Sequence, residues 1–267
     1  MSEMEERIKE SLAEIEREEG VRVVYACESG SRAWGFPSAD SDYDVRFIYV
    51  RPVDWYLSVD VERRRDVIER PITDELDVSG WDLRKALMLL KKSNPPLLEW
   101  LGSPIVYREE TSIAGRLREL LPHYYSPVAC LHHYLHMARG NYREYLKGDT
   151  VRVKKYFYVL RPVLAIKWIE AGLGVVPTEF GTLVERLIED GELKETIADL
   201  IERKRAGNEL DKGPAIPVLS DFLGRELERL EKISGEFDAP KTTTEKLNEV
   251  FRASLAEAWD GARGARV

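Results

Sequence analysis

The spacing of apolar residues changes near position 108, and this change limits the folds that the chain can adopt. Before that position, the β-branched runs 21–27 and 43–50 predict buried strands, and the shorter run 76–78 predicts a third strand. After it, apolar residues recur at the three- and four-residue spacing of helices. The sequence therefore predicts an α/β half followed by a helical half.

Helix signals occur in both halves. Residues 3–19 place apolar side chains at helical spacing, and Asp82 is a good N-cap for a second helix. We expect 1–107 to form the first domain and 108–267 to form the second. The helices expected in the second domain are 109–120, 126–147, 153–171, 179–189, 192–206, 216–233 and 241–259.

Composition narrows the class of protein. Of the 267 residues, 43% are hydrophobic and 33% are charged, which is enough for a sizeable core under a charged surface. No run approaches about 18 uncharged apolar residues, which argues against a transmembrane helix. The first 20 residues hold eight glutamates, which argues against a signal peptide. Two cysteines are too few for a disulfide framework, so we expect a cytoplasmic protein with no membrane partner.

Charge is distributed unevenly along the chain. The formal net charge is −8, which argues against a protein that coats nucleic acid along its length. Residues 139–167 nevertheless carry eight lysines and arginines against two acids. Such a basic segment suits either a polyanionic ligand gripped at one place or a helix face exposed to solvent.

The segment 28–50 carries the residues most suited to chemistry. A predicted strand ends at Gly30-Ser31, a polar turn with a short helix follows, and Asp42 and Asp44 open the next strand. Side chains two apart on a strand share a face, so the two carboxylates would project together. Hard cations such as Mg²⁺ favour carboxylate oxygens and complete their coordination with phosphate and water. The pattern predicts a phosphoryl-transfer site, although Asp-x-Asp alone also occurs in surface turns.

This pattern resembles a known signature. Gly30-Ser31 followed by Asp42-Tyr43-Asp44 is similar to the motif of the DNA polymerase β-like nucleotidyltransferase superfamily. The segments GSRAWGFPSADSDYDVRFIYV, DWYLSV and LDVSGWDLRKALMLLKKSNPPLLEWLGSPIVY resemble one prokaryotic branch of it, with members associated with RNA ligases and a proposed role in RNA repair. The resemblance covers about residues 20–170. It implies an α+β fold, with a small mixed sheet and helices in the catalytic domain and an all-helical domain completing the cleft.

The resemblance also implies the metal ligands. Asp42 and Asp44 match the paired ligands, and the superfamily needs a third carboxylate on a neighbouring strand. Asp77 fits best by position, and Glu75 is a rival because alternation would place it on the same face. Three carboxylates would hold two Mg²⁺ ions, or Mn²⁺ in their place.

Nucleotide contacts are expected from both halves. Gly30 and Ser31 would contact the phosphates, while Arg32 is either a charge partner or a residue of the helix surface. In the run VRVKKYFYVLRPVLAIKW, tyrosine among basic side chains suits a nucleotide, and Pro162 should kink or restart the helix. The residues chosen for nucleotide contacts in this run are Lys154, Lys155, Tyr158 and Arg161.

The activity that follows is transfer of a nucleoside monophosphate from an NTP to a hydroxyl, with release of pyrophosphate. The family association implies an RNA end as acceptor and a connection to an RNA ligase pathway, whereas the sequence leaves a protein side chain or a small alcohol open. Two alternatives belong to other classes: an antitoxin-like enzyme that nucleotidylates a partner protein, and a nucleotide sensor without turnover. Presence of Asp42, Asp44 and Asp77 argues against the sensor.

Overall fold

The structure is a computed structural model that describes residues 2–73, 75–207, 211–231 and 243–260. These residues form strands and helices in the order that the sequence predicts, with short additional elements. The strands are β1 (Arg22–Glu28), β2 (Tyr43–Val50), β3 (Val67–Glu69), β4 (Leu76–Asp82), β5 (Val106–Arg108), β6 (Thr150–Arg152) and β7 (Lys212–Pro214). The helices are α1 (Glu3–Glu19), α2 (Gly30–Trp34), α3 (Val53–Tyr56), α4 (Leu83–Lys91), α5 (Pro95–Leu101), α6 (Ile113–Tyr124), α7 (Pro127–Tyr145), α8 (Lys155–Glu170), α9 (Phe180–Leu187), α10 (Glu192–Arg205), α11 (Pro217–Glu231) and α12 (Glu245–Asp260).

Five strands form the main sheet in the order β3-β4-β2-β1-β5. β2 and β4 are parallel, and the other neighbours are antiparallel, so the sheet is mixed as expected. The predicted strands at 21–27, 43–50 and 76–78 correspond to β1, β2 and the first residues of β4. The edge strands β3 and β5 span three residues each and carry no recognisable pattern, so the sequence did not predict them.

The two faces of this sheet are covered differently. On one face, Ile8, Leu12 and Ile15 of α1 pack against alternate residues of β2, among them Val45 and Phe47. The amphipathic spacing of α1 explains this contact, and Gly20 ends the helix in a left-handed conformation. The opposite face carries the side chains that alternate with these, and it turns toward the helical region.

The helical region shares its hydrophobic core with that second face. Ile48 and Val50 of β2 belong to the same buried cluster as residues of α6, α7 and α8. β5 lies at the proposed division near residue 107 and completes the sheet. The division into domains at 107/108 therefore stays a prediction, while the succession of a sheet region and a helical region is confirmed.

Two features of the helical region differ from the expectation. β6 and β7 form a small antiparallel pair, which adds two short strands to the predicted all-helical arrangement. α8 runs without interruption through Pro162, so the helix does not restart there. In the part of the chain that the structure describes, no helix combines the length and the hydropathy that crossing a bilayer requires.

Candidate active site

A pair of carboxylates lies on the sheet face that turns toward the helices. Asp44 and Asp77 are direct partners in the parallel β2–β4 ladder. Their faces follow from alternation, because Val45 and Val78, the residues after them, belong to the core cluster under α1. On the opposite face, Gly80 leaves room for the Phe47 ring, since a Cβ atom there would lie 2.3 Å from it. Asp44 and Asp77 therefore lie together on the face that turns toward the helices.

The proximity of the two acids affects their electrostatics. Burial raises the pKa of the Asp44 carboxyl, and the charges of Asp77 and Asp42 raise it further while Arg46 lowers it. Asp42 lies just before β2 and is exposed. The arrangement is thus a half-buried carboxylate pair with a third acid at its edge, a distribution that attracts cations.

Glu75, the rival for the third position, is not part of β4. It precedes the strand with a φ of 68°, a left-handed backbone conformation, and its carbonyl oxygen accepts a hydrogen bond from the Tyr43 amide. Alternation therefore does not extend to Glu75, and its side chain is exposed. The geometry favours Asp77.

Arg46 joins the two carboxylates, and the sequence reasoning missed it. Its Nη2 atom lies 3.1 Å from Oδ1 of Asp44 and 2.7 Å from Oδ2 of Asp77. Its Nη1 atom donates to the carbonyl oxygens of Val45 and Asp77, both at 3.1 Å. Alternation along the strand could have found Arg46, since it follows Asp44 by two residues and shares its face of the strand.

Glu28 and Gly30 support Asp44 from the neighbouring strand β1 and from α2. Glu28 is fully buried, accepts hydrogen bonds from the Asp44 amide and the Tyr107 hydroxyl, and has its pKa raised to about 7 by burial. Gly30 has a φ of 58°, and a Cβ atom there would lie 2.0 Å from Oδ2 of Asp44. Gly30 thus has a steric reason to be glycine beside the carboxylate.

The loop that precedes Asp42 is held from two sides. Arg32 stacks on the Tyr43 ring at 3.6 Å and donates to the carbonyl oxygens of Ser41 and Asp42. From α10, Lys204 donates to the Ser38 hydroxyl at 2.6 Å and to the Ser41 hydroxyl at 3.3 Å. Arg32 is therefore a residue that positions the backbone, and no local sequence pattern links Lys204 to this loop.

The start of α8 forms a basic and aromatic surface near the acids. Nζ of Lys155 lies 4.1 Å from the centre of the Tyr158 ring and 4.6 Å from that of Tyr145. Tyr158 is 42% exposed, and burial, followed by the charges of Asp44 and Asp42, raises its pKa. An exposed ring beside the acid pair and a cation on that ring are features that suit a nucleotide.

Lys154 and Arg161 have other surroundings. Lys154 is half exposed and lies 3.5 Å from Asp211, so it stands at the rim of this surface. Arg161 is 2% exposed, and its Nη1 atom lies 2.7 Å from Oε1 of Glu99. Its guanidinium also lies under the Trp34 ring. We therefore assign Arg161 to a buried ion pair of the core and not to the phosphate contacts.

The acids fit a divalent cation that binds together with its substrate. Among the described residues, no group of three His, Cys, Asp or Glu side chains converges into a ready-made metal cluster. Mg²⁺, however, is commonly held by one or two carboxylates together with substrate phosphates and water. Asp44 and Asp77 supply such a pair of hard oxygen donors, and Asp42 stands at its edge.

A second acidic position lies at the far end of β4. Asp82 is 1% exposed, accepts hydrogen bonds from the Tyr56 hydroxyl and the Arg84 amide, and caps α4 as predicted. Burial raises its pKa to about 6. It borders a cavity of about 320 Å³ that Trp55 also lines. Because Asp82 caps α4 and accepts these hydrogen bonds, we assign it a structural role.

Comparisons with known proteins agree with the motif. A model of the RNA repair pathway DNA polymerase beta family (RlaP) matches residues 4–253. The uncharacterized protein YcgL of Bacillus subtilis (strain 168) is 51% identical over 257 residues, covering 96% of this chain and 98% of YcgL. A crystal structure of a nucleotidyltransferase-like protein from Exiguobacterium sibiricum 255-15 is 15% identical over 97% of this chain and 91% of that one. Its TM-score is 0.33, a similarity too low to carry an argument.

Proposed function

Since the chain belongs to the RNA repair pathway DNA polymerase beta family, we propose that it is a metal-dependent nucleotidyltransferase that transfers a nucleoside monophosphate from an NTP to a hydroxyl. The observation that carries the proposal is the pairing of Asp44 with Asp77 across β2 and β4, on the face toward the helices. Asp42 extends this pair toward solvent, where a triphosphate would approach.

Asp42, Asp44 and Asp77 would hold Mg²⁺ or Mn²⁺, two ions in all, which supply charge neutralisation and lower the pKa of the acceptor hydroxyl. In the reaction, the acceptor oxygen forms a bond to the α-phosphorus, and the bond from that phosphorus to the bridging oxygen of pyrophosphate breaks. Asp77 would act either as a metal ligand or as the base that accepts the hydroxyl proton. The protein otherwise positions groups and neutralises charge, as phosphoryl transfer requires.

Residues of α8 and α2 would bind the nucleotide. Tyr158 offers a ring for the base, and Lys155 and Lys154 offer positive charge for the phosphates. Gly30 lies next to Asp44, and the backbone amides of Gly30 and Ser31 would bind a phosphate oxygen there. Burial and the charges of Lys154 and Arg152 lower the pKa of Lys155, which is typical of a lysine in a crowded basic surface.

We propose an RNA end as the acceptor and an RNA ligase pathway as the setting, as the family description suggests. The basic residues of 139–167 provide a local positive charge in a protein of net charge −8. Contacts with RNA phosphates would make the affinity fall steeply with added salt. A protein side chain as acceptor would give an activity without this dependence on salt and RNA.

The test is pyrophosphate release from each of the four NTPs, with Mg²⁺ or Mn²⁺, in the presence and absence of an RNA oligonucleotide. The Asp44→Asn/Asp77→Asn variant removes the carboxylate pair, and Asp54→Asn, an exposed acid of α3, serves as the matched control. The proposal predicts release by the wild type and the control but not by the double variant. Equal release by all three proteins, or NTP binding without release, would contradict it.

A further inference from the structure

We propose that Arg46 substitutes for the metal. Its guanidinium lies between the carboxylates of Asp44 and Asp77 until a divalent cation displaces it. The inference rests on the proposed function, because it assumes that these two carboxylates hold the cation. It concerns the regulation of that site. Arg46 is then a positioning residue that exchanges the two carboxylates for a phosphate of the nucleotide.

The contacts of Arg46 have the form of a bridge. A single nitrogen, Nη2, contacts one oxygen of Asp44 at 3.1 Å and one oxygen of Asp77 at 2.7 Å. A cation held by both carboxylates would draw on the same two side chains, and the guanidinium uses one oxygen of each. Only 18% of the Arg46 side chain is exposed, so the bridge is largely buried and poorly screened by water.

Charge explains why a substitute is needed. Two half-buried carboxylates that face each other repel, and the repulsion opposes folding when no cation lies between them. The guanidinium supplies one positive charge at this point, and a divalent ion would supply two. Both cannot contact the same pair of oxygens, so binding of the metal and the bridge of Arg46 compete.

The other terminal nitrogen, Nη1, makes hydrogen bonds to the backbone. Nη1 donates to the carbonyl oxygens of Val45 and Asp77, contacts that do not involve the carboxylates. Arg46 therefore has backbone partners at the site in addition to the carboxylates. A guanidinium displaced from the carboxylates would be close to a triphosphate held by the same acids, and guanidinium binds phosphate oxygens well.

This exchange predicts two effects of opposite sign. Removing the guanidinium removes a competitor, so the affinity for metal should rise. It also removes a phosphate contact, so the affinity for a nucleotide in the presence of metal should fall. A residue with a merely structural role would weaken both.

The experiment uses the full chain and its Arg46→Met and Arg46→Lys variants, with Asp44→Asn/Asp77→Asn as the baseline for Mn²⁺ bound elsewhere. Free Mn²⁺ is measured by electron paramagnetic resonance, and affinity for a non-hydrolysable NTP analogue is measured at saturating Mn²⁺. We expect Arg46→Met to bind Mn²⁺ at least about fivefold more tightly and the analogue at least about fivefold more weakly. Arg46→Lys keeps the charge without the fork and should fall between the wild type and Arg46→Met.

The outcomes separate this inference from the proposed function. Unchanged or weaker Mn²⁺ binding by a folded Arg46→Met overturns the exchange while leaving the metal site in place. If the wild type binds no more Mn²⁺ than the baseline variant, the proposed function and the inference fail together. Should Arg46→Met not fold, Arg46→Lys decides, because tighter Mn²⁺ binding supports the exchange and unchanged binding overturns it.

Discussion

Strand β4 carries an aspartate near each end, and the two carboxylates have opposite surroundings. Asp82 is 1% exposed, and its acceptor positions are used by the Tyr56 hydroxyl and the Arg84 amide. The side chain of Asp77 is 27% exposed, faces a second carboxylate and shares one cation with it. The fold donates one hydrogen bond to each oxygen of the first acid, whereas the second faces another carboxylate and keeps capacity for a ligand. This difference distinguishes an acid that holds the structure from one that is available for chemistry.

The largest effect is expected from Asp77→Asn. Loss of a charge that holds metal should lower the rate of pyrophosphate release by ~10³-fold or more, as when one member of a catalytic unit is removed. Glu75→Gln is the matched control two residues earlier, and it should retain the wild-type rate because Glu75 lies outside the strand. Equal losses in the two variants would show that the third carboxylate has been misassigned.

Gly30→Ala should separate an effect on activity from an effect on stability. Gly30 and Gly20 have φ values of 58° and 62°, so alanine should cost each backbone a similar ~1–2 kcal/mol. Only at Gly30 would the new Cβ atom meet Asp44, since nothing lies within 4 Å of the corresponding atom at Gly20. Displacement of that carboxylate should reduce activity about 100-fold. Denaturant unfolding and initial rates of both variants check this, and a similar rate for the two would refute the steric argument.

Lys204→Met should have a smaller effect. The variant removes two hydrogen bonds to the loop before Asp42. Loss of a group that only orients a metal ligand typically lowers activity by about tenfold or somewhat more, and we expect about tenfold here. Lys194→Met, on the same helix and paired with Asp190, is the control and should leave the rate unchanged. Steady-state kinetics as a function of Mn²⁺ concentration would measure the difference. A wild-type response from Lys204→Met would mean that α10 does not position the loop.

Asp82 should affect stability alone, through pH. Its folded-state pKa is raised to about 6 by burial, above the ordinary value of 3.8, so the folded protein binds this proton more tightly than the unfolded chain does. Its contribution to the free energy of unfolding is therefore greatest at acidic pH and falls as pH rises from about 4 through about 6. Asp82→Asn keeps the cap without titrating, so the wild type should lose stability relative to it over this range. Urea unfolding at several pH values would show it, and parallel curves would contradict the assignment.

Alternation along a strand is a local rule, and it predicted that Asp42 and Asp44 share a face. Asp77 was expected from the family resemblance, and the structure pairs it with Asp44 in the β2–β4 ladder. β2 begins at Tyr43, so alternation does not extend to Asp42. The same rule failed at Glu75, where a φ of 68° ends the alternation before β4 begins. The rule also places Arg46 on the same face as Asp44, but it does not show which residues the Arg46 side chain contacts.

Other parts of the molecule depend on contacts between distant segments, which local patterns do not encode. The lysine that holds the Ser38 and Ser41 hydroxyls comes from α10, far along the chain. Arg161 was chosen as a phosphate ligand because it lies in a run of tyrosines and basic residues, and only the structure shows Glu99 beside it. The strands β3 and β5 are too short to give a period, so pairing with β4 and β1 determines them.

The metal site can be tested directly by anomalous diffraction from crystals grown with Mn²⁺ and a non-hydrolysable NTP analogue. We expect an anomalous peak about 2.0–2.2 Å from one oxygen each of Asp44 and Asp77, with the analogue's phosphates completing the coordination. Asp82 should show no peak, in keeping with its satisfied hydrogen bonds. A Mn²⁺ peak elsewhere, with the carboxylates of Asp44 and Asp77 still joined only by Arg46, would contradict the central claim.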